Sequence, residues 1–228
     1  MLFTLSRRVT RTLAISALVA LVASGCTKHK TQAGQSPGAS PPASSSPQKF
    51  HADFKIGGVR AVDAQDRAPQ ANNTANDVAR KVVNLVNTYY NNAFIDPGLW
   101  EGGFHSKLVG LFTDEAKPSV APNLDTLALA RVSTTLKSVE PKVQTLGTVS
   151  VLIEKDFGVG YATVSTHFEA IGTPTDSNGT VDVIAQSAQF MVAVSDGYRI
   201  AGYDVTTRID GQAKTASFNM PAQSGAAS

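Results

Sequence analysis

His167 and Glu169 stand two residues apart in the run Ala162-Thr163-Val164-Ser165-Thr166-His167-Phe168-Glu169-Ala170. An imidazole beside a carboxylate can pass a proton, and Asp182 and Asp204 are further carboxylates in the same half of the chain. The two-residue period of a strand puts His167 and Glu169 on one face and Ala162, Val164 and Phe168 on the other. With the apolar set turned inward, the pair meets water, and the expectation is an ordinary polar sheet face. Tyr89, Tyr90, Trp100, Phe104 and Phe112 could line a ligand pocket, although rings at helical spacing more often fill a core, and in the sheet half Phe168, Phe190 and Tyr203 join Trp100 as the pocket candidates. There is no Gly-x-x-x-x-Gly-Lys loop, no His-Glu-x-x-His and no Gly-x-Ser-x-Gly. Gly158-Val159-Gly160 lacks the third glycine of a dinucleotide loop. Ser46-Pro47-Gln48-Lys49 has the Ser-x-x-Lys spacing without its companion motifs. No catalytic residue, metal or cofactor is expected, and the folded part reads as non-enzymatic.

The single cysteine, Cys26, rules out disulfides within the chain and removes thiolate chemistry from everything after it. What precedes it explains it. Arg7, Arg8 and Arg11 come first, with no acid before residue 26. Leu13 to Ala23 then runs for eleven residues without a charge. That length suits a signal-peptide apolar region and falls short of the ~20 residues that cross a bilayer as a helix. The run closes on Ala23-Ser24-Gly25-Cys26. This ending resembles the lipobox of bacterial lipoprotein precursors, with Ala23 where leucine is usual and Leu21 and Val22 just upstream. The resemblance implies cleavage between Gly25 and Cys26, a diacylglyceryl thioether on Cys26, and acylation of the new amino end. A lipid-anchored place on the extracytoplasmic face of a cell membrane follows from it. Two or more acyl chains make a stable anchor, at ~0.8 kcal/mol per buried methylene.

The positive charge belongs to that leader. Beyond it the chain carries 17 basic and 18 acidic residues, so no basic surface for nucleic acid is expected. Residues 26–48, with Thr27 to Gln48 rich in Ser, Pro, Gly, Ala and Gln, read as the lipidated cysteine and a disordered tether. Residues 49–75 read as a surface segment with one short strand, in which Phe50, Ala52, Phe54 and Ile56 alternate with polar residues. Residues 76–210 form the expected domain, and 211–228 a disordered tail.

Within the domain, Thr74-x-x-Asp77 marks a helix start, and Val78, Val82, Leu85, Val86 and Tyr89 carry its apolar stripe to about Ala93. Asp96-Pro97-Gly98 would end it. A second helix is expected over Ser106 to Phe112. Strands are expected over Ser138–Val143, Thr148–Lys155, Val159–Ile171, Thr180–Val194 and Tyr198–Asp210. Turn chemistry at Asp156-Phe157-Gly158, Asn178-Gly179 and Asp196-Gly197 separates the later ones. In the last strand the apolar set changes parity at Ala201-Gly202, as a β-bulge would produce.

Helices followed by an antiparallel meander make an α+β fold, with N-terminal helices packed on a curved antiparallel sheet. This order, with the Val78–Tyr89 and Leu108–Phe112 helices and the ending Tyr198-Arg199-Ile200-Ala201-Gly202-Tyr203-Asp204-Val205, resembles the nuclear-transport-factor-2-like cone. A cystatin-like sheet around a helix competes with it. Two functions remain open. One is a membrane-anchored lipoprotein whose domain binds an envelope protein or ligand. The other is a cone-fold carrier or enzyme holding a small apolar molecule. A cone filled by Phe168, Phe190 and Tyr203 would favour the first, and a deep cavity with convergent polar groups the second.

Overall fold

The computed structural model describes residues 50–63, 65–95, 100, 103–142, 144–154, 158–176 and 182–219. Gly25, Cys26 and the leader and tether around them lie outside the described residues, as do Asp96-Pro97-Gly98, Asp156-Phe157 and Asn178-Gly179. No helix among the described residues is long and apolar enough to cross a membrane.

The fold is α+β, and its main sheet is mixed. Strands β1 (Phe54–Lys55) and β2 (Gly58–Asp63) precede the long helix α1 (Ala68–Tyr90), which runs into a π-helical turn at Asn91–Ile95. Helix α2 (Phe104–Val109), two 3₁₀ turns at Lys117–Ser119 and Ala121–Asn123, and the single-turn α3 (Leu124–Leu127) follow. Then come β3 (Leu136–Pro141), β4 (Gln144–Thr145), β5 (Thr148–Ile153), β6 (Val159–Pro174), β7 (Asp182–Ala193), β8 (Arg199–Ile209) and β9 (Gln212–Phe218). The sheet order is β2-β5-β6-β7-β8-β9, and β3 pairs with the far end of β6. The meander from β5 to β9 is antiparallel, as the alternating patterns require.

Three expectations need correction. Residues 49–75 are not a surface segment with one short strand. β2 joins the sheet parallel to β5, and β1 pairs in parallel with β4. A strand that precedes a helix can return to its sheet neighbour in parallel only through such a crossover. α1 begins at Ala68, before the Thr74 signature. Pro69 suits the first turn because the amide it lacks would have no helical partner there, and Ala71 and Ala75 are buried beneath it. The tail from Gly211 is not disordered throughout. Asp210 and Gly211 both take positive φ, 48° and 79°, and turn the chain into β9. Lys214 then pairs with Asp125 at 2.6 Å, and Phe218 lies 6.2 Å from the Tyr203 ring.

The bulge is where the parity change put it. Met191 pairs with Gly202 and Val192 with Ile200, which leaves Ala201 unmatched. Ile200 turns its own backbone outward to the helical layer. Its N–H donates to Leu111 O at 2.8 Å, and its carbonyl accepts from Thr113 N at 3.0 Å.

Candidate functional site

Tyr89 and Tyr90 are consecutive on the last turn of α1, and both are wholly buried. Neighbours on a helix diverge by about 100°, so the two rings serve different parts of the core. Tyr90 stacks on Phe168 at 4.7 Å and meets Phe54 at 4.8 Å. Tyr89 meets Phe190 edge-on at 5.0 Å. Phe94, carried inward by the π-helical turn, closes on Phe168 at 5.0 Å.

Polar groups are threaded through this cluster and paired there. The hydroxyls of Tyr90 and Thr166 lie 2.6 Å apart. Tyr89 O–H donates to Leu127 O at 2.6 Å. Gln186 Nε2 donates to Thr126 O at 3.0 Å and to Thr207 Oγ1 at 2.9 Å, and Thr207 in turn donates to Thr126 O at 2.5 Å. Burial pushes both tyrosine hydroxyls above their usual range, so each keeps its proton. Beside the cluster, a gap between Leu85, Val86, Tyr89, Phe190, Val192 and Ile200 leaves no room for a water molecule.

The four residues considered for a pocket are all buried, and they do not converge on one cavity. Phe168 and Phe190 are joined through Tyr90 and Tyr89. Tyr203 sits against Phe112 at 5.9 Å, with its hydroxyl 2.9 Å from Ser119 Oγ. Trp100 stacks with Phe104 at 6.2 Å. Sequence reasoning passed over Thr166, Gln186 and Thr207, although each occupies an inward position of its strand between apolar residues.

His167 faces water with 62% of its side chain exposed. Its Nδ1 lies 3.2 Å from Ser187 Oγ and its Nε2 lies 3.2 Å from Glu169 Oε1. Lys142, then His167, holds the Glu169 carboxyl below its usual range. Asp182 and Asp204 are not its partners. Asp182 is at the Gly172 register, and Asp204 faces Gln189. No group of three His, Cys, Asp or Glu side chains among the described residues converges as a metal site.

Two further charged clusters sit at the ends of elements. Asp63, at the end of β2, accepts from the backbone N–H groups of Gln65 and Arg67, at 3.1 and 2.9 Å. The Arg67 guanidinium grips the same carboxylate at 2.8 Å and donates to Glu154 O at 2.7 Å. These bonds hold the Asp63 carboxyl far below the usual range. At the start of β7, partial burial raises the Asp182 carboxyl, and neighbouring Asp210 and Asp176 raise it further.

The described surface also carries a cleft of about 640 Å³ where α1 passes β1 and β2. Ile56 and Val59 form its apolar side, and Asn73, Asn76, Asp77 and Arg80 line it from α1. Asp77 and Arg80 pair with each other. The amide of Asn76 donates to Asn72 O at 2.8 Å. The cleft's described lining residues include no paired acid and base positioned over a common point. No protein-family model, no curated protein and no solved structure matches this chain.

Proposed function

We propose that the protein is a bacterial envelope lipoprotein, anchored to a membrane through lipid on Cys26, whose α+β domain works by binding rather than by catalysis. The leader supports the anchor: three arginines, an eleven-residue apolar run and small residues ending at the only cysteine. One observation carries the binding reading. The space between α1 and the sheet is occupied by Tyr89, Tyr90, Phe168, Phe190 and Gln186, whose named polar atoms are paired within the protein. A small apolar ligand would have to displace rings that carry the core. Recognition therefore falls to the outer surface, where function depends on a specific site rather than on the fold.

The anchor is tested by growing cells with a labelled palmitic acid. The wild-type chain is expected to take up label and sediment with membranes, and Cys26→Ser to do neither. Label persisting in Cys26→Ser would overturn the anchor. The binding reading is tested by titrating the full chain with a solvatochromic dye specific for apolar cavities. Saturable uptake into the interior, abolished by Phe190→Trp, would restore the carrier alternative.

A further inference from the structure

Among the described residues β2 is the terminal strand of the main sheet, hydrogen-bonded to β5 on one side and to no strand on the other. In a parallel pair every second peptide group points away from the neighbour, so the far edge of Gly58–Asp63 offers a row of backbone donors and acceptors. An open edge of this kind pairs with one chemistry, another extended backbone.

The two faces flanking this edge differ, and both suit a strand laid beside it. On the inner side, Val59 and Ile56 border the cleft of about 640 Å³ whose opposite wall is α1. Side chains of an added strand that point inward would enter that cleft, with the exposed amides of Asn73 and Asn76 across from them. On the outer side, the period of two sets Arg60 and Val62 next to each other. Val62 is 40% exposed and Leu152, directly beside it in register, is 47% exposed. Arg60 is exposed and has no ion-pair partner among the described residues.

A lone charge on an edge strand ordinarily discourages pairing. Here it stands beside an apolar pair that an added strand would cover, and so it selects rather than repels. The opposite edge is different. On β9 the charge at the edge, Lys214, is engaged by Asp125.

We propose that the open edge of β2 takes an extended segment of a partner protein as an added strand, with an acidic side chain set against Arg60 and an apolar one against Val62. This deepens the binding reading above and rests on it. The backbone ladder supplies attachment, the Arg60 charge supplies sign, and the cleft receives the inward side chains.

The test uses the full chain in detergent and a fluorescein-labelled peptide. The peptide has threonine at every second position and valine at the others, except for one central aspartate. Saturable binding by anisotropy is expected, together with slowed hydrogen exchange at those amides of Gly58–Asp63 that point away from β5. Arg60→Glu is expected to weaken binding by about tenfold or more, and a peptide with lysine for the aspartate to regain that loss. A proline in the middle of the peptide is expected to abolish binding, because it cannot complete the ladder. Equal affinity for wild type and Arg60→Glu, protection elsewhere than β2, or no saturable binding would overturn the proposal. So would a dimer in sedimentation that Arg60→Glu dissociates and the peptide does not, since a second copy would then hold the edge. Loss of peptide binding with palmitate label intact rejects this site alone. Loss of label with peptide binding intact rejects the anchor alone.

Discussion

The hydroxyl of Tyr90 and that of Thr166 meet at 2.6 Å inside a ring of aromatic side chains, joining the last turn of α1 to the middle of β6. Neither group reaches water, so each depends on the other. The contact fixes how far the helix can slide along the strand.

Tyr90→Phe should therefore destabilise the protein by about 1–3 kcal/mol, the cost of leaving a buried hydroxyl without its partner. Thr166→Val should cost a similar amount. The double variant should cost less than the two single changes together, because no orphaned group remains. Urea denaturation of the four proteins measures the coupling. Strict additivity would show that the two hydroxyls do not depend on each other.

Asp63 sets an acid limit on stability. Its carboxyl is held below the ordinary value of 3.8 in the folded chain, chiefly by hydrogen bonding to Arg67. A group whose folded value is depressed contributes stability above its unfolded value and loses it as pH falls. Wild type should thus lose thermal stability steeply below about pH 4, and Asp63→Asn should start lower and fall less. Melting curves from pH 7 to pH 2.5 check this, and parallel slopes for the two proteins would contradict it.

Asp182 acts with the opposite sign. Its carboxyl is raised by partial burial and by Asp210 and Asp176. The unfolded chain releases that proton first, so the residue costs stability as pH rises past the ordinary carboxylate value. Asp182→Asn should raise the melting temperature at pH 7 and give no advantage at pH 3. An unchanged or lowered melting temperature at pH 7 would reject this account.

His167→Ala should change stability by no more than about 0.5 kcal/mol, as exposed substitutions generally do. The imidazole contacts Ser187 and Glu169 on a watered face, and Glu169 keeps Lys142 when the ring is removed. Chemical denaturation measures the difference. A loss of several kcal/mol would mean that the ring packs against more than these two groups.

Period-two reading exposed the inward faces of β6, β7 and β8, and even the bulge at Ala201, because one-sided burial forces strict alternation. The same alternation hid Gln186. It falls between Ile184 and Ala188 on the inward parity of β7, where a polar residue reads as an interruption. Only the facing carbonyl of Thr126 and hydroxyl of Thr207, distant in sequence, make that position intelligible. β2 was missed for another reason. Gly58 to Asp63 is short, half-exposed and parallel to its neighbour, so neither a tight turn nor a clean apolar stripe announces it. The cleft beside α1 depends on that strand and was invisible with it. β9 had a legible turn at Asp210-Gly211, but its polar residues resembled a frayed end.

The bulge at Ala201 has a consequence for how the molecule comes apart. Past it, β8 leans on β9 from Tyr203 to Ile209, while ahead of it Ile200 is tied to Leu111 and Thr113. One strand is thus a common seam for the meander and for the helical layer that precedes it in the chain. Loss of β8 would take from β9 its only strand partner among the described residues, and from Leu111 and Thr113 the backbone groups they pair with. The edge strand and the Leu111–Thr113 segment should therefore come loose together, with the residue left out of register marking the point where they are stitched.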